Sequence, residues 1–109
     1  MKKSSLPEVL AALSVSPDPY TVALITGVAD DGARIDELVA AAAVGWEIDR
    51  MPVVDRTILR LATWELLARP DVPVPVVIDE AVELAKQYST EQSGGFVNGV
   101  LSTIASQVR

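Results

Sequence analysis

The chain has no cysteine and no histidine among its 109 residues. Without cysteine there is no disulfide framework, no thiolate metal site and no cysteine nucleophile. Without histidine, most hydrolytic and metal-dependent chemistry loses its usual proton carrier and ligand. Aromatic residues are scarce: one Phe, two Trp and two Tyr. Positive charge is scarce too. Nine Lys and Arg stand against fifteen Asp and Glu, a formal net charge of −6. That balance repels phosphate and excludes a general nucleic-acid binder, while a local contact survives where a partner supplies the positive charge. Long apolar runs are missing as well. Those present are broken by Asp, Glu, Arg or Pro, so no segment is expected to span a membrane. "MKKSS" at the start has no long apolar stretch behind it and reads as a cytoplasmic N-terminus.

What is present points to helices. Half of the residues are hydrophobic, with Ala, Val and Leu dominant, and they recur at three- and four-residue spacings. That pattern predicts a single all-α domain, a compact helical bundle built from small and medium side chains. "SLPEVLAALSV" predicts a short first helix, with Ser5 and Glu8 spaced as a capping box and Pro7 in the first turn. Residues 1–17 are thus a short N-terminal helix and linker. Residues 18–44 form a long helix, with Asp18 as its cap and Pro19 at its first position. Gly32 in "DDGAR" predicts a kink or break near residues 30–32, because glycine is costly inside a helix. One apolar stripe runs through Tyr20, Ala23, Leu24, Gly27 and Val28, and Ile35, Leu38, Val39 and Ala42 continue it.

A C-terminal helical half follows at 52–109. "GWEIDRMP" connects to it, and Pro52 opens a strong helix to about Arg69. "RPDVPVP" stops that helix, since residues before proline avoid the helical region. A helix from Pro75 to Tyr88 pairs an inner face of Val77, Ile78, Ala81, Val82, Leu84 and Ala85 with an outer, solvated face of Asp79, Glu80, Glu83 and Lys86. "STEQSGG" reads as a loop, with the last helix beginning near Ser93 or Gly94. Asp55, Arg56 and Arg60 read as a solvated charged face or a partner surface. Trp46 and Trp64 read as core or core-edge anchors.

The last helix raises the functional question. Phe96, Val97, Val100, Leu101 and Ile104 share one arc of a helical wheel. Asn98 lies just beyond one border, Phe96 on the other, and Gly99 on the polar face. Gly99 costs about 1 kcal/mol relative to Ala in a helix interior, so the bare position needs a reason. Two readings compete. Asn98 and Gly99 serve helix–helix packing, or they keep a face small and polar so that another backbone comes close. No carboxylate spacing compels a metal or glycosidase reading, and there is no phosphate-cradling glycine loop. An enzyme and a cofactor are not expected.

"GWEIDRMPVVDRTILRLATWELL" and "DVPVPVVIDEAVELAKQYSTEQSGGFVNGVL" resemble the bacterial transcription antitermination factors of the NusB family. "YTVALITGVADDGARIDELV" fits the same family's long helix, so the resemblance covers roughly residues 19–105. It implies an all-helical fold of two packed halves. It implies binding of boxA-type RNA together with a small-subunit ribosomal protein, NusE, and through these an indirect association with the RNA polymerase elongation complex. The role implied is suppression of premature termination in ribosomal RNA operons. The related accessory domain of RNA cytosine methyltransferases is not expected, because the chain ends directly after the module.

Carried over by position, the resemblance places Gln92, Phe96 and Asn98 against RNA and turns Asp55 toward the basic ribosomal partner. An aromatic ring stacks on a base, and an amide reads a base edge or a phosphate. Family members often have Asp where Gln92 stands, and many have Lys or Arg where Gly95 stands. Members also begin with an arginine-rich helix that contacts RNA and completes the N-terminal helical half. No such segment is present, and Lys2 and Lys3 are the only basic residues before Arg34. About 25–40 residues of the usual domain are expected to be absent. The N-terminal half is then incomplete and the stripe through Tyr20, Leu24, Val28 and Ile35 lacks part of its cover, which predicts a homodimer, repacking of the first helix or low stability. The alternative to the antitermination role is a shortened, RNA-incompetent helical protein that self-associates or sequesters a partner.

Overall fold

A computed structural model describes residues 19–109, with side chains from residue 23 onward. The short first helix and linker expected over residues 1–17 lie outside the described residues. Five α-helices follow in order: α1 (Pro19–Asp30), α2 (Gly32–Ala42), α3 (Val53–Ala68), α4 (Val74–Tyr88) and α5 (Glu91–Val108), with a 3-10 turn at Ile48–Arg50 between α2 and α3. Among the described residues there is no strand, and no helix is long and apolar enough to cross a membrane.

The break expected near Gly32 is present. α1 ends at Asp30 and α2 begins at Gly32. Asp31 N–H still donates to the Gly27 carbonyl at 3.0 Å, and the Asp31 carbonyl accepts from Ile35 N–H at 3.0 Å. The hydrogen-bond ladder is therefore bent and not abandoned, so α1 and α2 both lean on α3. The stripe they carry is covered: Val28 is 2 % exposed, Ile35 0 % and Val39 1 %. This corrects the expectation of partial cover at Val28 and Ile35. Among the described side chains of the stripe, only Ala23 is exposed.

One close approach fixes how α1 crosses α3. An ideal Cβ placed on Gly27 would lie 2.0 Å from Trp64 Nε1 and 2.2 Å from its Cε2. The indole lies directly over the glycine, and glycine leaves the room it needs. Trp64 is therefore the core-edge anchor that its type predicted.

Helix α3 is the centre of the fold. It buries Ile58, Leu59, Leu61, Ala62 and Leu66, and it meets α1, α2, α4 and α5. Its charged residues do not form one solvated face. Arg60 makes a bidentate pair with Asp36 of α2, at 2.7 and 2.8 Å. Asp55 is buried. Proline sets the helix boundaries at both ends of α4's connection: Pro52 and Pro73 are the N-caps of α3 and α4, and Pro75 lies in α4's first turn. Val77, Ala81 and Ala85 of α4 are buried while Asp79, Glu80, Glu83 and Lys86 are exposed, as the wheel predicted.

Helices α4 and α5 form the most extensive pairing. Gly94 permits it: an added Cβ would meet the Lys86 stem at 3.0 Å. Arg109 closes the far end. Its guanidinium donates to the carbonyls of Glu65 (3.1 Å), Leu66 (3.0 Å), Arg69 (2.6 Å) and Val72 (2.5 Å). These carbonyls lie at the C-terminus of α3 and in the turn after it, where those of Glu65 and Arg69 also accept from the Arg69 and Val72 N–H groups, and a cation there suits the helix dipole. Beside them, Arg69 grips Asp71 at 3.0 and 2.8 Å, and that hydrogen bonding holds the Asp71 carboxyl below its ordinary value.

Candidate functional site

The last helix begins earlier than "STEQSGG" suggested. Thr90 is its N-cap, and Thr90 Oγ1 accepts from Ser93 N–H at 3.1 Å. Glu91 then sits in the first turn, where a negative charge suits the exposed N–H groups. The stretch reads as a loop because of its Ser and Gly content, but the capping bond carries the helix back to Glu91. Gln92 and Ser93 are therefore helical residues in the first turn of α5.

That turn lies against the first turn of α3. Ser93 Oγ donates to Asp55 Oδ2 at 2.8 Å, and it is also 3.0 Å from both Ser89 Oγ and Thr90 Oγ1. Asp55 is only 3 % exposed, and its Oδ1 has no hydrogen-bond partner. The solvated charged face expected at Asp55 is thus replaced by a buried carboxylate. The cause is packing between elements 38 residues apart, which no local pattern reports.

Asp55 lines a hollow of about 280 Å³ with Trp46, Pro52, Thr90, Gln92, Ser93 and Phe96. Trp46 is 52 % exposed, which corrects the core placement expected of it. Gly45 before it has φ +86°, the left-handed conformation that glycine adopts without strain. The connector turns there and lays the indole on Phe96, with ring centroids 5.8 Å apart and planes tilted by 57°. This is a favourable tilted aromatic pair. It forms one wall of the hollow.

The structure brings Gln92, Phe96 and Asp55 to one place but sets Asn98 elsewhere. At about 100° per residue, Asn98 and Phe96 lie roughly 160° apart around α5. Asn98 is exposed, and its Oδ1 accepts from Ser102 Oγ at 3.3 Å. Between these two borders runs the outward face of the helix, and there stand Gly95 and Gly99. Both are exposed, and an added Cβ on either would meet nothing within 4 Å. Among the described residues, neither glycine is there to let another helix approach. A second shallow hollow, of about 310 Å³, spreads over them from Phe96 and Trp46 to Val44, which is 88 % exposed.

Sequence reasoning missed Trp46 and Ser93 as members of this site. Trp46 carried a signal in the glycine before it. Ser93 carried one in its spacing from Thr90. Among the described residues no group of three or more acidic side chains is placed to hold a metal ion.

In class this is an all-helical domain with a bare, amide-flanked helix face beside an aromatic hollow. Comparison with known proteins gives the family. The NusB family model matches residues 2–106, and the chain belongs to that family. The match extends forward of residue 19, where the motif-based resemblance began. A relative from Frankia casuarinae, named transcription antitermination protein NusB, is 53% identical over 108 residues, spanning 95% of this chain and 80% of the relative. The solved structure of T. maritima NusB superposes with a TM-score of 0.81 at 39% identity, covering 96% of this chain and 77% of that one.

Proposed function

We propose that this protein acts in transcription antitermination by binding a boxA-type single-stranded RNA together with the small-subunit ribosomal protein NusE, in the cytoplasm where transcription proceeds. Its likeness to a curated antitermination protein supports the role. The observation that carries the RNA part is the outward face of α5: an aromatic on one border, an amide on the other, and two bare glycines between them. A single strand crossing that face approaches the backbone of α5 closely. It stacks a base against Phe96 and Trp46 and meets Asn98 with an edge or a phosphate.

Charge supports the need for a second protein. The chain carries −6 overall, so a basic partner that joins the complex offsets repulsion of phosphate. Asp55, at the first turn of α3 beside the hollow, is the acidic position turned toward that basic partner. The role is recognition and assembly, not catalysis.

The test is RNA binding by Phe96→Ala and Asn98→Ala. Each weakens binding of a boxA-type RNA while the far-ultraviolet circular dichroism of the helices stays unchanged. If both variants bind like the wild type, RNA does not use this helix.

A further inference from the structure

We propose that Trp46 and Phe96 form an aromatic clamp that opens to take one unpaired RNA base between its two rings, with Trp46 as the moving jaw. The clamp rests on the RNA reading above and adds to it how the base is held. It grips the faces of the base and leaves its edge unread.

Three observations carry it. First, the two hollows on this side of α5 have the same pair in common. Trp46 and Phe96 line both the hollow of about 280 Å³ beside Pro52 and the hollow of about 310 Å³ over Gly95 and Gly99. The pair is the partition between them, so a base that parts the rings enters space already present on either side.

Second, the two rings are held very differently. Phe96 is half-buried against the core, next to the fully buried Val97 of the same helix. Trp46 is half exposed on a connector whose neighbouring Val44 is 88 % exposed. Among the described residues, one backbone hydrogen bond holds residues 44–46, from Trp46 N–H to the Ala43 carbonyl at 3.0 Å, and the indole N–H has no acceptor. Gly45 beside it has open space around its Cα. Phe96 is therefore the fixed jaw, and Trp46 has the freedom to move.

Third, the rings stand close to the geometry that a clamp needs without having reached it. Their centroids are 5.8 Å apart and their planes are tilted by 57°. A base between two parallel rings needs about 7 Å, two contacts of about 3.5 Å each. Opening by about 1 Å and rotating the indole flat makes that space. One tilted contact is given up and two stacking contacts are gained. An aliphatic side chain from a protein is the competing occupant. It fits less well, because it has no pair of flat faces to offer two rings. The bare glycines beside the pair leave room for the backbone of a strand that delivers one base.

The experiment is a set of double-mutant cycles with NusE present. Each nucleotide of a boxA-type RNA is made abasic in turn, and affinity is measured for the wild type, Trp46→Ala, Trp46→Phe and Phe96→Ala. The expected result is one position where removing the base weakens wild-type binding about fivefold or more. In Trp46→Ala and in Phe96→Ala that loss shrinks to less than about twofold, while Trp46→Phe, which keeps a ring, retains most of it. Exchanging the base there for another changes affinity less than removing it does. The Trp46 emission, taken as the difference between wild type and Trp46→Phe so that Trp64 cancels, is quenched by the intact RNA and not by the abasic one. Should Trp46→Ala fail to fold, the Phe96→Ala cycle and the Trp46 emission decide.

A position coupled to Phe96 and not to Trp46 overturns the clamp, because the base then stacks on one face only. RNA that binds tightly with no position coupled to either ring overturns the clamp and leaves RNA binding standing. RNA that binds neither with nor without NusE overturns both. Loss of affinity for NusE alone in Trp46→Ala, with no RNA position coupled, overturns the clamp and assigns Trp46 to the protein partner.

Discussion

Ser93 and Asp55 are joined by a 2.8 Å hydrogen bond from the Ser93 hydroxyl to Asp55 Oδ2. The bond ties the first turn of α5 to the first turn of α3 and sets the floor of the hollow. Asp55 has no other side-chain or backbone donor on its remaining oxygen. Ser93→Ala therefore leaves a buried carboxylate with no hydrogen bond at all. The expected loss is about 1–3 kcal/mol of unfolding free energy, measured by urea denaturation. Because Ser93 N–H still donates to Thr90 Oγ1, α5 keeps its cap. A loss confined to a few tenths of a kcal/mol would mean that the bond adds little to the native state.

Gly27→Ala tests the crossing of α1 over α3. A methyl 2.0 Å from Trp64 Nε1 cannot be accommodated without moving the indole. Alanine is the better helix former by about 1 kcal/mol, yet overpacking costs about 1–3 kcal/mol. The net expectation is destabilisation, with a changed tryptophan emission spectrum. A variant more stable than wild type, with unaltered emission, would place the indole away from Gly27.

Arg109 reaches four carbonyls. Arg109→Ala strands the end of α3 and the turn after it, at an expected cost of about 1–3 kcal/mol. Arg109→Lys recovers only part of this, because a point charge cannot fork to several acceptors. Thermal unfolding of the three proteins should rank them Arg, Lys, Ala. Equal stability of the Lys and Arg forms would show that charge alone matters there.

Much of the fold was legible in the sequence because local chemistry dictates it. Pro52, Pro73 and Pro75 mark where helices can start, Gly32 marks where the long helix bends, and the spacing of Val77, Ala81 and Ala85 names α4's inner face. The start of α5 was not read, because serine and glycine suggest a loop unless Thr90 is taken as a cap. Trp46 was misplaced for a different reason. Tryptophan ordinarily buries, and only the positive φ of Gly45 turns this one outward onto Phe96. Asp55 was beyond sequence reading: its burial depends on Ser93, a residue distant in the chain. The three residues expected at RNA divide accordingly, with Gln92 and Phe96 in the hollow and Asn98 across the glycine face.

The glycine face itself offers the most direct test. Gly99→Gln adds a helix-favouring, uncharged side chain into space that none of the described residues occupies. It should raise stability by about 0.5–1 kcal/mol. Binding of a fluorescent boxA-type RNA at low salt, titrated with and without NusE, should nevertheless weaken about tenfold, or about 1.4 kcal/mol. A more stable protein that binds RNA worse would mean that Gly99 is bare for the strand. Unchanged RNA affinity in the stabilised variant would contradict that reading and move the RNA off this face of α5.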